Sequence, residues 1–539
     1  MSSELAVKVL TSLAAAALAY ATWKVTQTVL APYRSSLRIL RGPPRVSWIL
    51  GSFRPTTTSD DSEADKLFEL WPKEYGATFA FRNFLNGIAF YTEDAKALSH
   101  ILHDPQMYPK SESDIFFLGR MFGHGDPLLS SLQNPAFGPA QVRELTGIFV
   151  DKAQQLRDYW KNQITKPDEP ATIEVTSGLS KATLDVIGLA GFNYTFDALD
   201  PSGKPNELNE AFTSMFQALT GFVPGFWLLI KFVVPALRII PDNLGRETAA
   251  AQAVARRVGM KLIQEKKAEV LKAASDGAGS ESALRSRDLL TLLIKANMSE
   301  DVPEDRRLSD EDVLARAFFI AGHETTSFGT AFGLFALAQA QDVQQKLRDE
   351  LLGLQTEEPT MDELNALPYL DAVVREILRV HAPVRATGRI AAKDDIIPLS
   401  IPITDRYGRT HDHVKIDKGT DVTIAIQSLN VEKALWGDDA AEFKPERWQN
   451  SPEAVQGVPG VWGNMLTFLG GPRACIGYRF ALVEMKAFLF TLIREFAFEL
   501  AIPAEDIIKK SAIVQRPYIK GKVDQGSQLP LLVKLYQRV

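Results

Sequence analysis

Phe468-Leu-Gly-Gly-Pro-Arg-Ala-Cys475-Ile-Gly477 holds the only cysteine of a 539-residue chain. A lone thiol cannot close an intrachain disulfide or complete a multi-thiolate zinc or iron–sulfur site. Three fates remain: an inert buried thiol, a reactive nucleophile, or a single axial thiolate to a metal. The neighbours favour the third. Gly470, Gly471 and Gly477 let backbone approach a large flat ligand closely. Arg473 is a permanent cation, which favours thiolate and also binds anions. A single thiolate on haem iron pushes electron density onto the metal and favours O–O cleavage.

Working outward, a helix is expected from about Tyr478 to Glu495, with apolar Leu482, Met485, Phe488 and Leu489. Upstream, the loop-rich stretch from Asn430 to Asn450 carries Phe443-Lys-Pro-Glu-Arg-Trp448. A shorter helix, Asp371 to His381, ends before Pro383 and carries Glu376-x-x-Arg379. Short strands are expected at Arg389–Ala392, His413–Asp417 and Val422–Gln427. Ser309 and Asp312 resemble a capping box opening a long helix that runs to about Ala340. Its middle, Ala321-Gly-His-Glu-Thr-Thr-Ser327, is rich in weak helix formers, and such breaches of local preference often mark function. Further upstream, Gln141–Trp160 and Ser180–Leu189 read as helices. The apolar run over 211–240, broken by Pro224, Pro235 and Pro241, reads either as buried helix or as a lid that dips into lipid.

Four motifs thus stand in order: Ala321-Gly-x-Glu-Thr-Thr326, Glu376-x-x-Arg379, Phe443-x-Pro-Glu-Arg447 and the cysteine run. Together they closely resemble the cytochrome P-450 family of haem-thiolate monooxygenases, over roughly the whole chain after its N-terminus. The Glu-x-x-Arg element alone carries little information; the cysteine run is specific.

The resemblance implies a mainly α fold with a minor β-sheet, as one large domain. It implies haem b (iron protoporphyrin IX) as cofactor, with Cys475 as the proximal iron ligand. Gly477 then frees backbone N–H groups to face the sulfur. Phe468 matches the ring beside the thiolate. Arg473 matches a haem propionate partner, and Arg389, ten residues after Arg379, a second one. Glu324 and Thr325 match the acid and alcohol that deliver protons to the outer oxygen in a dry pocket. Gly322 would leave room above the iron. His323 reads more readily as a packed or solvent-facing residue than as a ligand. Glu376, Arg379 and Arg447 match a buried charge triad, with two guanidinium forks around one carboxylate locking helix to loop. Substrate walls would include Lys110–Pro127, 211–235, Phe318–Thr325, Pro383–Gly388 and Ile513–Arg516.

One stretch departs from the family. In His124-Gly-Asp-Pro-Leu-Leu-Ser-Ser-Leu-Gln-Asn-Pro135-Ala-Phe137, a helix with a basic propionate contact is expected, yet no arginine or lysine lies between Arg120 and Arg143. Two alternatives to a monooxygenase follow: a catalytically impaired haem-binding relative, and a reductase-independent isomerase or dehydratase of the same fold. A zinc-protease helix is excluded, since Ser327 stands where the second histidine would be needed.

The formal charge of −6 gives nucleic acid no support as a partner, and 45% hydrophobic residues suffice for a large core. The uncharged run between Lys8 and Lys24 reaches membrane-spanning length if the helix extends from about Leu5 to Leu30 with both lysines snorkelling. A cleaved signal peptide is the rival reading, since Ala17-Leu18-Ala19 resembles a cleavage site, but the dense basic flank opposes translocation. Lys24, Arg34, Arg38, Arg41 and Arg45 follow it, so the bulk of the chain is expected in the cytosol. The expected layout is a membrane anchor over 1–32, a Pro/Gly hinge and lead-in over 33–62, and the catalytic domain over 63–539. With the resemblance, this implies a single-pass protein of the endoplasmic reticulum membrane, in contact with membrane lipid. Its partners would be an NADPH-dependent flavoprotein reductase, O2 and a lipophilic small-molecule substrate.

Overall fold

The computed structural model describes residues 32–53, 66–83, 86–112, 137–166, 168–200, 243–275, 288–298, 319–511 and 513–537, with scattered positions before and between them. Its principal helices are α1 (Ala95–His103), α2 (Pro139–Lys161), α3 (Val175–Phe192), α4 (Asn243–Ser275), α5 (Leu289–Met298), α6 (Phe319–Gln339), α7 (Gln341–Gly353), α8 (Met361–Asn365), α9 (Pro368–Val380) and α10 (Tyr478–Glu495). The strands are β1 (Thr78–Arg82), β2 (Ile88–Thr92), β3 (Ala171–Glu174), β4 (Ala386–Ile390), β5 (Asp395–Thr404), β6 (Thr410–Ile416), β7 (Asp421–Ala425), β8 (Phe496–Leu500), β9 (Ile507–Ser511), β10 (Gln515–Ile519) and β11 (Pro530–Leu535). The mainly helical character with small sheets is as expected. The chain divides into two compact units: Met1–Ser111 with Ala386–Ser428 and Gly457–Pro459, and Glu112–Arg385 with Leu429–Gln456 and Gly460–Val539.

The first unit is built on a sheet of order β1-β2-β7-β4, in which only β2 and β7 run parallel. Alternation along β1 and β2 places Phe79 opposite Tyr91, and their rings stack at 4.4 Å. Leu67, Trp71 and Phe81 complete that small core. The Asp94 side chain accepts from the N–H groups of Lys96 and Ala97 and so starts α1. A β5–β6 hairpin completes the unit.

The second unit is helical and carries the larger core. Pro368 opens α9 because a first-turn residue needs no N–H donor, which is why this helix starts earlier than the expected Asp371. Leu370, Val373, Val374, Ile377 and Leu378 then recur at helical spacing and are all buried, forming one apolar face. α6 packs on α3 and α9 through glycines. A Cβ on Gly322 would meet Ile187 Cδ1 at 2.9 Å, and one on Gly333 would meet Ile377 Cδ1 at 2.7 Å. Gly322 therefore serves the α3–α6 contact. The strands β3-β11-β8 and the β9–β10 hairpin flank the helices. The sequence reading did not anticipate them, because each is only four to six residues long.

α10 has the expected bounds, and the strand expectations fall on β4, β6 and β7. Asp312, the departure over His124–Pro135, and most of 211–235 lie outside the described residues. So does most of the expected wall over Lys110–Pro127. Among the described residues no helix is long and apolar enough to cross a membrane. Of the run from Leu5 to Leu30, where the anchor is expected, only part is described.

Candidate active site

The cysteine sits in a loop closed on itself. Leu469 and Gly471 adopt the left-handed region, with φ of 55° and 68°, and reverse the chain twice. Only glycine does this freely, so Leu469 stores about 1 kcal/mol or more of strain. The N–H of Val461 donates to Leu469 O at 2.8 Å, and that of Cys475 to Phe468 O at 2.8 Å. These bonds fix where the thiol points. Phe468 is buried, with its ring 5.9 Å from Trp462 and 6.1 Å from Tyr478.

Cys475 itself is only half-buried by exposure. Burial still pushes its thiol up to about 11, against a smaller lowering by the backbone N–H of Gly477. The positive end of α10 begins just beyond, at Tyr478. Protein groups alone therefore leave the sulfur protonated at neutral pH, and a bound cationic metal would supply the missing stabilisation of thiolate. Gly477 has an ordinary φ of −85°, and a Cβ there would meet only Phe137 at 3.9 Å. Among the described residues no atom demands glycine here, which fits a position kept small for a ligand.

Arg473 gives the second sign of fit to haem. Its Nε is buried without a hydrogen-bond partner among the described residues. An orphaned buried donor of a permanent cation, two residues from the thiol, suits a carboxylate ligand such as a propionate. Arg389 lies in the first unit, on β4, with Nη1 donating to Thr387 Oγ1 at 3.1 Å and to Gly388 O at 2.7 Å.

The polar middle of α6 is tied from two sides. His323 is buried, and its Nε2 is 2.8 Å from Ser180 Oγ on α3. Burial, with the nearby charge of Arg516, holds its pKa down to about 3, so it is a neutral packed histidine, as expected. Glu324 is buried and points to β10, where Arg516 Nη2 donates to both carboxylate oxygens at 2.7 Å. Burial raises the Glu324 carboxyl, and Arg516 works against that rise. Thr325 is half-buried beside it. α6 meets α10, the helix after the cysteine loop, where Gly329 faces Met485, with a Cβ position 3.8 Å from the thioether. On α10, one residue before Met485, Glu484 is fully buried, and burial raises its carboxyl well above the usual range, partly offset by the Thr326 hydroxyl.

The charge triad is present, in altered form. Arg379 and Glu376 are both fully buried, and the guanidinium forks onto the carboxylate through Nε at 2.8 Å and Nη2 at 2.7 Å. Arg379 Nη1 also donates to Asn430 O and Ala440 O. Arg447 reaches Glu376 only through Nε at 3.5 Å. Its fork turns instead to Asp439 Oδ1 at 2.6 Å, Asp439 O at 2.8 Å and Trp436 O at 3.0 Å. The expectation of two forks around one carboxylate is corrected in this respect. The place of the second fork on Glu376 is taken by Trp448 Nε1 at 3.0 Å and Lys444 N at 2.9 Å. Arg447 and Lys444 hold Asp439 down to about 2.

Sequence reasoning missed Asp439, Trp448 and Glu484, and gave Arg516 only a wall position. An arginine inside an otherwise apolar wall segment was the available signal for Arg516. Asp439 carried none beyond lying eight residues before Arg447.

The cysteine loop and the orphaned donor of Arg473 fit a haem ligand, and comparison with known proteins gives the family. The profile described as cytochrome P-450 matches residues 42–519 and spans parts of both units. The chain belongs to the cytochrome P-450 family. It is 53% identical over 544 residues to cytochrome P-450 monooxygenase 205 of Postia placenta, covering 99% of each chain. With cytochrome P-450 monooxygenase claW of Ampulloclitocybe clavipes it shares 34% identity over 520 residues, 93% of each. Ganoderic acid synthetase CYP5150L8 of Ganoderma lucidum is 34% identical over 526 residues, 90% of this chain and 92% of its own length. The protein is an oxidoreductase of the monooxygenase type, with haem b as its cofactor.

Proposed function

We propose that the protein inserts one oxygen atom from O2 into a C–H bond or alkene of a lipophilic small molecule. Electrons come from NADPH through a separate flavoprotein reductase. The observation that carries this reading is the closed loop that presents Cys475 beside the orphaned Nε of Arg473.

Haem supplies dioxygen binding and O–O cleavage. Cys475 Sγ would hold the iron and Arg473 a propionate; Arg389 is the residue that the family resemblance assigns to the second propionate. Phe468 limits water near the sulfur. The Thr325 hydroxyl would position a water, and Glu324 would pass protons to it from outside. The raised carboxyl of Glu324 suits proton transfer near neutral pH better than an exposed glutamate would. Glu376, Arg379 and Arg447 shape the scaffold and take no part in chemistry.

The catalytic part lies on the cytosolic face of the endoplasmic reticulum, tethered by a helix within residues 5–30. The uncharged run and the basic residues that follow it support the tether, as do the exposed Tyr20 and Trp23. The test is turnover of a lipophilic library with a reductase, NADPH and isotopically labelled O2. One labelled oxygen in the product is the expected result. Product formed without NADPH and O2 identifies an isomerase or dehydratase instead.

A further inference from the structure

Residues Arg34–Leu40 and the strand β6 wall a cavity of about 430 Å³ in the first unit. Arg34, Arg38 and Lys415 line it, together with His411 and His413. The two walls are far apart in sequence yet bolted together. Ser36 donates from its N–H to Asp417 Oδ2 at 2.6 Å and from Oγ to Oδ1 at 2.7 Å. Arg406 donates from its N–H to Ile39 O at 2.9 Å and from Nη2 to Leu40 O at 3.1 Å. The cavity is therefore preformed.

Its lining is basic. The carboxylates nearby keep their charge but turn to other donors: Asp417 to Ser36, Asp405 to His411 Nε2 at 3.0 Å, and Asp412 to His413 Nδ1 at 2.7 Å. Arg34, Arg38 and Lys415 have no carboxylate partner among the described residues; Arg38 only donates to Tyr33 O at 3.2 Å. Positive potential extends along this unit. Burial lowers the Arg82 guanidinium, and the like charges of Arg406 and Arg45 lower it further. Three cations gathered around one preformed cavity repel one another unless an anion joins them.

We propose that this cavity binds the phosphate group of an anionic membrane lipid. A phosphate presents several acceptor oxygens to two guanidinium forks and an ammonium. A lipid is the source we assign, because the cavity begins four residues after Leu30, where the apolar run ends. Basic clusters beside a membrane helix attract anionic headgroups. The assignment of a lipid source rests on the membrane tether proposed above; the anion site itself does not.

The test uses full-length holoprotein in dodecyl maltoside micelles, titrated with dihexanoyl phosphatidic acid, dihexanoyl phosphatidylcholine and inorganic phosphate, and read by 31P line broadening. These short-chain lipids do not depend on a membrane span for binding, and the tether is tested separately by carbonate extraction of membranes. One variant combines Arg34→Ala, Arg38→Ala and Lys415→Ala. A control combines Lys73→Ala, Lys433→Ala and Lys522→Ala, removing equal charge from exposed positions outside the cavity. An unchanged reduced carbon monoxide spectrum establishes that both fold. At roughly a factor of five per cation, the cavity variant loses on the order of 100-fold in affinity for phosphatidic acid, while the control keeps it. Equal losses in both variants, or equal binding of phosphatidylcholine, overturn the site. Inorganic phosphate binding as tightly as phosphatidic acid overturns the lipid as its ligand.

Discussion

Arg516 on β10 places a single nitrogen, Nη2, 2.7 Å from both carboxylate oxygens of Glu324 on α6. The acid next to Thr325 is thus already engaged by a cation from a different element. Two opposed influences act on it: burial, which raises its carboxyl, and Arg516, which lowers it.

Removing that cation leaves burial alone. In Arg516→Leu the Glu324 carboxyl rises further, so the carboxylate form survives only at higher pH, and the acidic limb of the pH–rate profile moves upward. The stability sign is the same. A carboxyl raised above its unfolded value favours the folded state at low pH, and that contribution is lost as pH rises through the folded value. The variant therefore loses more stability than the parent on going from acid to neutral pH. Arg516→Lys restores the position of the limb. An unmoved limb in Arg516→Leu, measured from product formed per NADPH, contradicts the coupling.

Glu376→Ala leaves Arg379 buried with no counter-charge. Breaking a buried ion pair costs on the order of 3–5 kcal/mol, and Trp448 and the Lys444 N–H lose their acceptor as well. Haem content of the purified protein and its thermal midpoint are both expected to collapse. Normal holoprotein yield contradicts the structural role.

The cysteine loop and the triad were legible in sequence because their chemistry admits few alternatives. One thiol, flanking glycines and an arginine narrow what the loop can do, and α10 follows from plain apolar periodicity. Arg516 pairing with Glu324 was not legible, since the two lie 192 positions apart and meet only through folding. The turn of Arg447 toward Asp439 was hidden for a related reason: a loop without periodicity does not announce which of its acids faces inward. Gly322 was half legible: a glycine on a helix serves ligand space and helix contact equally well, and only folding brings Ile187 against it.

Asp439→Ala should show a pH-dependent loss. Asp439 is depressed to about 2 in the folded chain. Its stabilising contribution is present above the ordinary aspartate value and disappears as pH falls toward 2. The difference in thermal midpoint between parent and variant is therefore expected to be full at pH 6 and to shrink as pH falls through about 4 toward 2. A difference independent of pH means that Arg447 is held by its carbonyl acceptors alone.

Gly322→Ala pushes a methyl group into Ile187. Overpacking of this kind costs about 1–3 kcal/mol. Trimming the neighbour in Gly322→Ala/Ile187→Val is expected to recover part of the loss, giving a non-zero coupling in a denaturant double-mutant cycle. Additive effects mean that the α3–α6 contact yields elsewhere.

The most direct measurement is the carbon monoxide difference spectrum of the reduced protein, taken on the parent and on Cys475→Ser. The account predicts a Soret band characteristic of thiolate ligation in the parent and its loss in the variant, together with loss of product formation. A serine variant that keeps the thiolate band, or oxidises substrate as fast as the parent, contradicts the assignment of Cys475 as the iron ligand.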